Sequence, residues 1–325
     1  MNRRNSLSAL LALGVAPLAA LAQPATKAWR IGFLGAGSAA GWATRVDALR
    51  DGLRDLGYAE GKNITIQYRW ADGEYERLPE LAAELARLGV DVIVTHTTPG
   101  ALAAKRTTTT IPIVMATSGD AVASGLVSNL ARPGGNVTGL TFFVPELGAK
   151  RLEILKEIAP RIRSVAVLSN SANQATGIAL QAVDRTAKQL KLELRQFGIR
   201  SSDELEPTFV AMANAYVNSV WIQQDQLLVE NAKRIAELAA KYRLPSAGFG
   251  GYADAGGLIE YGVNLASLFR RAAYFVDRIL KGTPPAELPV EQPTNFELKI
   301  NLKTAEAIGI KVPQSLLLRA DRVIT

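Results

Sequence analysis

The chain offers little to a catalyst. Its 325 residues hold one histidine, His96, and no cysteine. A Ser-His-Asp relay would have to be built on His96 alone, and no G-x-S-x-G turn follows a strand. Without cysteine, a metal site would need carboxylates and that single imidazole, yet there is no H-E-x-x-H and no D-x-D cluster. Gly35-x-Gly37-x-x-Ala40 imitates the dinucleotide fingerprint. The next strand, however, ends in Gln67-Tyr68-Arg69, with no acidic residue to hold a ribose. His96 then reads as a polar side chain at a loop edge rather than a base. No enzyme, cofactor or metal is expected.

What recurs instead is non-covalent binding chemistry. Apolar runs end in short polar segments: Gly37-Ser38, Thr97-Thr98, Thr117-Ser118-Gly119-Asp120, Asn170-Ser171-Ala172-Asn173, Gln223-Gln224-Asp225 and Gly250-Gly251-Tyr252. Hydroxyls, amides and free N–H groups at such places satisfy a small polar solute. Asp120 or Asp225 can receive a ligand ammonium; taken singly, each reads better as a helix cap. Phe142, Phe249 and Tyr252 can wall a pocket, whereas Trp42 reads as packing its own helix onto a sheet.

These segments need strands and helices to hold them. Residues 29–34, 64–68, 92–95 and 113–115 read as strands. Between them Val46, Leu49, Leu53 and Leu56, then Leu78, Leu81, Ala82, Leu85 and Leu88, follow helical spacing. Alternating strand and helix means a parallel sheet with right-handed crossovers. Ligands then sit beyond the strands' carboxyl ends, beside helix N-termini. Pro133-Gly134-Gly135-Asn136 breaks the pattern, and a strand over 137–143 leaves the first unit.

The pattern restarts with helices over 147–158 and 178–190 and strands over 165–168, 192–197, 219–222 and 245–249. Ser201 with Glu204 reads as a capping box. Asn264 can cap a long helix with Leu265, Leu268, Phe269, Ala272, Val276 and Ile279 inward. Strands over 296–300 and 316–318 close the chain. The expected fold class is α/β, with two Rossmann-like, doubly wound, mainly parallel lobes joined by a hinge. The first lobe takes 28–139 plus 262–288 and the second 140–261 plus 289–325. Such lobes close around a ligand by bending.

The N-terminus reads as an address. Arg3 and Arg4 precede an apolar run over 7–19 that is too short for a membrane span. Ala20-Leu21-Ala22 before Gln23 fits a cleavage site, so 1–22 is expected to be a cleaved signal peptide. No cysteine follows to carry a lipid, and a freely diffusing periplasmic protein is expected. The net charge is +7, but its Lys and Arg are scattered among acids, so no nucleic-acid partner is expected.

Many local strings occur together: Leu56-Gly57-Tyr58, Glu60-Gly61-Lys62-Asn63-Ile64, Arg77-Leu78-Pro79 and Ala131-Arg132-Pro133-Gly134-Gly135-Asn136-Val137-Thr138-Gly139. Lys150-Arg151-Leu152-Glu153, Gly256-Gly257-Leu258, Leu288-Pro289-Val290-Glu291-Gln292-Pro293 and Leu316-Leu317-Leu318-Arg319-Ala320-Asp321 follow. Their order resembles the ABC-transporter substrate-binding proteins that include the tryptophan-binding TrpX type. The resemblance spans the mature chain. It implies a type I periplasmic-binding fold with three hinge crossings. It also implies capture of a small solute, an amino acid or other aromatic or polar molecule, and the chain is expected to act as a monomer. The solute would pass to an inner-membrane ABC permease and its ATPase. The implied ligand contacts fall in the polar segments above: Thr97-Thr98-Pro99 and Asp120 in one lobe and residues 170–173 in the other. The full set expected to touch ligand is Gly37, Ser38, Thr97, Thr98, Thr117, Ser118, Asp120, Phe142, Asn170, Asn173, Gln224, Asp225, Phe249 and Tyr252. A sensory ligand-binding module is the alternative reading, and a nucleotide-cofactor enzyme a weaker one.

Overall fold

Strands covered on both faces must be apolar throughout, and the computed structural model places this chain's apolar runs in that way. It describes residues 28–142, 144–173 and 176–325. The expected signal peptide lies outside the described residues. The first unit runs β1 (Trp29–Gly35), α1 (Ala39–Asp55), β2 (Ile64–Trp70), α2 (Leu78–Arg87), β3 (Val92–His96), α3 (Thr98–Thr107), β4 (Ile113–Thr117) and β5 (Val137–Gly139). Its strands pair in the order β2-β1-β3-β4-β5, all parallel.

The second unit runs α4 (Val144–Ile158), β6 (Ser164–Asn170), α5 (Thr176–Gln189), β7 (Glu193–Ile199), α6 (Leu205–Asn214), β8 (Val220–Ile222), α7 (Gln226–Glu230), α8 (Ala232–Lys241), β9 (Ser246–Gly248) and β10 (Ile259–Gly262). After α9 (Leu265–Leu280) come β11 (Glu297–Asn301), α10 (Leu302–Ala307), α11 (Gln314–Arg319) and β12 (Arg322–Ile324). The second sheet has the order β12-β11-β10-β9-β8-β6-β7 and is parallel apart from β10–β11. The fold is therefore α/β with two mainly parallel lobes.

α9 returns to the first lobe. Asn264 Oδ1 accepts from Ser267 N–H at 3.2 Å and caps it. Leu265, Leu268, Phe269, Ala272, Val276 and Ile279 are all buried, in a cluster with Val46, Leu49 and Leu53 of α1. Each large apolar side chain buried there contributes roughly 1.5–3 kcal/mol. Leu78, Leu81, Leu85 and Ala104 cover the opposite face of the same sheet.

Three local expectations change. Residues 289–291, expected in the second lobe, lie along the first sheet. Val290 N–H donates to Leu130 O at 2.7 Å and Glu291 N–H to Gly139 O at 2.9 Å. Residues 316–318, expected as a strand, lie in α11; three consecutive apolar residues fit either state, and Pro313 sits where it can start a helix. Ser201 makes no side-chain cap, because residues 202–204 form a 3₁₀ turn before α6.

Candidate functional site

The carboxyl ends of β3 and β4 face those of β6 and β8 across a cavity. From the first lobe come Thr97, Thr98, Thr117, Ser118, Gly119, Asp120 and Ser124, with Trp42, Phe142 and Leu265. From the second come Asn173, Gln223, Gln224, Asp225, Gln226 and Val229. Its volume, about 90 Å³ counted at the centres of water-sized spheres, is several times the ~10–15 Å³ one water occupies on that measure.

Thr97 makes the turn out of β3. Its φ of 68° is strained for a β-branched residue. The strain is held by Thr97 N–H donating to Thr117 O at 2.9 Å and by Thr97 Oγ1 accepting from Gly100 N–H at 3.3 Å. α3 thus begins at the cavity, with its N-terminal dipole end toward any anionic group. After β4, Gly119 N–H donates to Thr98 Oγ1 at 3.1 Å, and the Thr141 hydroxyl donates to Gly119 O. Asp120 Oδ1 accepts from Val122 N–H and Ala123 N–H at 3.0 and 2.9 Å. Its Oδ2 takes no hydrogen bond from the described residues.

Asp225 is the opposite case. It is buried and caps α7, accepting from Leu227 N–H at 3.0 Å. Asn170 and Asn173 amides each donate to it at 2.8 Å, and the Tyr75 hydroxyl donates at 3.0 Å from the other lobe. Four donors fill the four lone-pair sites of a carboxylate. Burial, the largest influence, pushes its pKa up, and these bonds pull it back. The Tyr75 hydroxyl is raised well above its usual value, by burial first and by Asp225 second. Gln224 is braced from behind. The buried Arg151 donates from Nη2 to Gln224 Oε1 at 3.0 Å and from Nε to Tyr261 O at 2.6 Å. That fixes which end of the Gln224 amide is oxygen. Burial lowers the Arg151 pKa to about 10, against the raising effect of Glu260.

Of the residues expected to touch ligand, Thr97, Thr98, Thr117, Ser118, Asp120, Phe142, Asn173, Gln224 and Asp225 are brought together on the wall. Four more lie off it, and so does Asn170, spent on Asp225. Ser38 N–H and Oγ–H both donate to Glu230 Oε1, at 2.7 and 3.0 Å, in the seam between lobes. Gly37 faces Gln226 so closely that a Cβ would lie 1.6 Å from Gln226 Nε2. Phe249 and Tyr252 turn into the second lobe's core. The Tyr252 hydroxyl donates to Ser246 Oγ at 2.9 Å, and its ring fills the space beside Gly248 and Gly257.

Trp42 both packs α1 and lines the cavity, stacked 4.0 Å from the His96 ring. His96 is not at a loop edge but fully buried, with Nε2 accepting from Ala36 N–H at 3.1 Å. Burial, and then the charge of Arg45, lower its pKa to about 3, so it is neutral with its proton on Nδ1. Gln226, Ser124, Val229 and Leu265 were not expected. Gln226 merely continues the polar run 223–225; nothing local marks the other three. Asp120 and Asp225 are the only charged side chains on the wall among the described residues. Also among them, no group of His, Cys, Asp and Glu is placed to hold a metal, and no helix is long and apolar enough to cross a membrane.

A cavity between two lobes, walled by polar strand ends, agrees with the family comparison. The model for ABC transporter substrate binding proteins matches residues 38–324. The chain belongs to this family. A tyrosine-binding protein of Clostridioides difficile (strain R20291) is 27% identical over 260 residues, covering 80% of this chain and 74% of that one. A Streptococcus pneumoniae ABC domain in complex with L-Trp superposes with a TM-score of 0.83 at 24% identity, over 91% of this chain and 99% of that one. A conserved domain protein from Vibrio cholerae O1 biovar El Tor gives 0.85 at 27% identity, over 91% and 100%. The fold is the type I periplasmic-binding fold.

Proposed function

We propose that this substrate-binding protein captures a zwitterionic amino acid with an apolar or aromatic body. It performs no catalysis. It acts as a periplasmic monomer, exported by the signal peptide at 1–22, and delivers its solute to an ABC permease for import. The observation that carries the reading is the cavity's chemistry: an unsaturated carboxylate, Asp120, on a wall with no cationic side chain among the described residues. Asp120 Oδ2 receives the ammonium. The N-terminal end of α3 at Thr98 receives the carboxylate. Phe142, Val229 and Leu265 enclose the body. The tyrosine-binding and L-Trp-bound relatives support the same ligand class.

Thermal-shift screening of the chain lacking residues 1–22, against amino acids, aromatic acids, sugars and nucleosides, tests this. A bound solute at a hundredfold excess over its Kd stabilises the fold by about 2.7 kcal/mol. An amino acid is expected to give that shift; no shift with any amino acid overturns the reading.

A further inference from the structure

Among the described residues, three side chains on the cavity wall are more than nine-tenths buried and have a polar atom that hydrogen-bonds to no other described residue. They are Trp42 through Nε1, Thr117 through Oγ1, and Gln226 through both amide atoms, with exposures of 2%, 5% and 1%. Buried polar side chains are almost always partnered, so each such exception calls for a physical reason. These three converge on one corner. Trp42 stacks on His96, Thr117 is in strand register with His96, and Gln226 Nε2 stands against Gly37, next to the Ala36 N–H that bonds His96.

Their chemistry restricts what completes them. The indole N–H only donates, Gln226 Oε1 only accepts, and Gln226 Nε2 donates; the Thr117 hydroxyl does either. An ammonium would meet the indole N–H head-on. A carboxylate, having no donor, would leave Gln226 Oε1 unpaired and find no cation on the wall. An aliphatic or unsubstituted aromatic end would leave every group unpaired. A hydroxyl accepts from Trp42 and donates to Gln226 Oε1 through one oxygen.

Resting on the amino-acid reading above, we propose that the Trp42–Thr117–Gln226 corner reads a hydroxyl on the side chain of the bound amino acid. The corner is a specificity device, separate from the groups that hold the ammonium and carboxylate. A site built to bond a hydroxyl rejects the analogue that lacks it, because its own buried groups are then left bare.

Calorimetric titration with L-tyrosine and L-phenylalanine, and with 5-hydroxy-L-tryptophan and L-tryptophan, tests the proposal. The hydroxylated member is expected to bind at least about tenfold tighter in whichever pair fits the cavity. Trp42→Phe keeps an aromatic ring and removes the donor; Gln226→Met keeps the length and removes the amide. Each is expected to bring the ratio toward one by weakening the hydroxylated ligand. Should Trp42→Phe fail to fold, Gln226→Met carries the test alone. Binding of phenylalanine or tryptophan with no preference for the hydroxyl overturns this proposal and leaves the amino-acid reading standing. A preference that survives both variants overturns it as well. Failure of all four to bind overturns this proposal too, whereas the amino-acid reading falls only if no amino acid gives a thermal shift.

Discussion

The two walls of the cavity look alike in sequence and do different work. The first-lobe wall is made of short hydroxyls and one aspartate tied to their own backbone, and Asp120 keeps an oxygen unspent. On the second-lobe side the strand-end amides of Asn170 and Asn173 are tied to Asp225, which is saturated, and only Gln226, inside α7, keeps its amide unpaired among the described residues of that wall. Polar strand ends therefore serve two purposes: one set is left open for solute, and the other is consumed in bracing a lobe and pinning it to its neighbour. Replacing the two aspartates should separate these purposes most sharply. Asp225→Ala strands the Asn170, Asn173 and Tyr75 donors inside the protein and is expected to cost about 3 kcal/mol in urea unfolding. Asp120→Ala removes two bonds that hold the half-buried turn after β4, worth about 1 kcal/mol. Equal losses would erase the distinction.

That distinction was only half legible in the chain. The β/α alternation showed because strands buried on both faces must be continuously apolar, and helix faces recur every three or four residues. Asp225 as a cap also showed, since capping is local. Tyr75, 150 residues away, gives no local sign of reaching Asp225, nor does Glu230 of reaching Ser38 across 192 residues. Phe249 and Tyr252 misled because adjacent Gly-Gly marks a turn without saying which way neighbouring rings point; here they fill the core. Nothing local to Trp42 or His96 shows that one ring lies on the other, which is what buries the imidazole and brings the indole to the cavity.

His96 gives the next largest effect and asks whether the first-lobe wall rests on a neutral base. Its folded pKa is lowered from 6.5 to about 3, by burial first and then by Arg45. The unfolded chain takes up a proton below about pH 6.5 while the folded chain does not. Stability is thus fully present above the unfolded value and is lost as pH falls toward the folded one, by at most about 1.4 kcal/mol per pH unit. Asp225, with a raised folded pKa, works in the opposite sense at more acidic pH. Between pH 6.5 and 5, His96→Gln should accordingly flatten the stability curve by about 2 kcal/mol. The glutamine oxygen can still accept from Ala36 N–H. A curve parallel to that of the unaltered protein would place the pH response elsewhere.

Asp120→Asn isolates the open carboxylate. The amide oxygen can keep accepting from Val122 and Ala123 N–H, so folding should change by less than about 0.5 kcal/mol. The ammonium, however, loses its counter-charge and faces an NH₂ group. Affinity for the best amino acid should fall about twentyfold, or about 1.8 kcal/mol. Unchanged affinity would move the ammonium off the first lobe.

The smallest effect concerns the seam that both walls share. Gly37 and Gly41 admit Gln226 and Glu230 so closely that a Cβ at either would clash, at 1.6 and 2.5 Å. Neither glycine has a positive φ, so alanine brings no backbone strain; its only penalty is paid when the lobes meet. Gly37→Ala should therefore weaken ligand about fivefold, or about 1 kcal/mol, by opposing the contact of the lobes at this seam. The reason is linkage: a ligand held by both walls must supply whatever closing costs, and the methyl raises that cost alone. Small-angle scattering should show less compaction on adding ligand. If affinity falls with compaction intact, the methyl acts on Gln226 and its corner; if neither changes, the seam contributes nothing to holding solute.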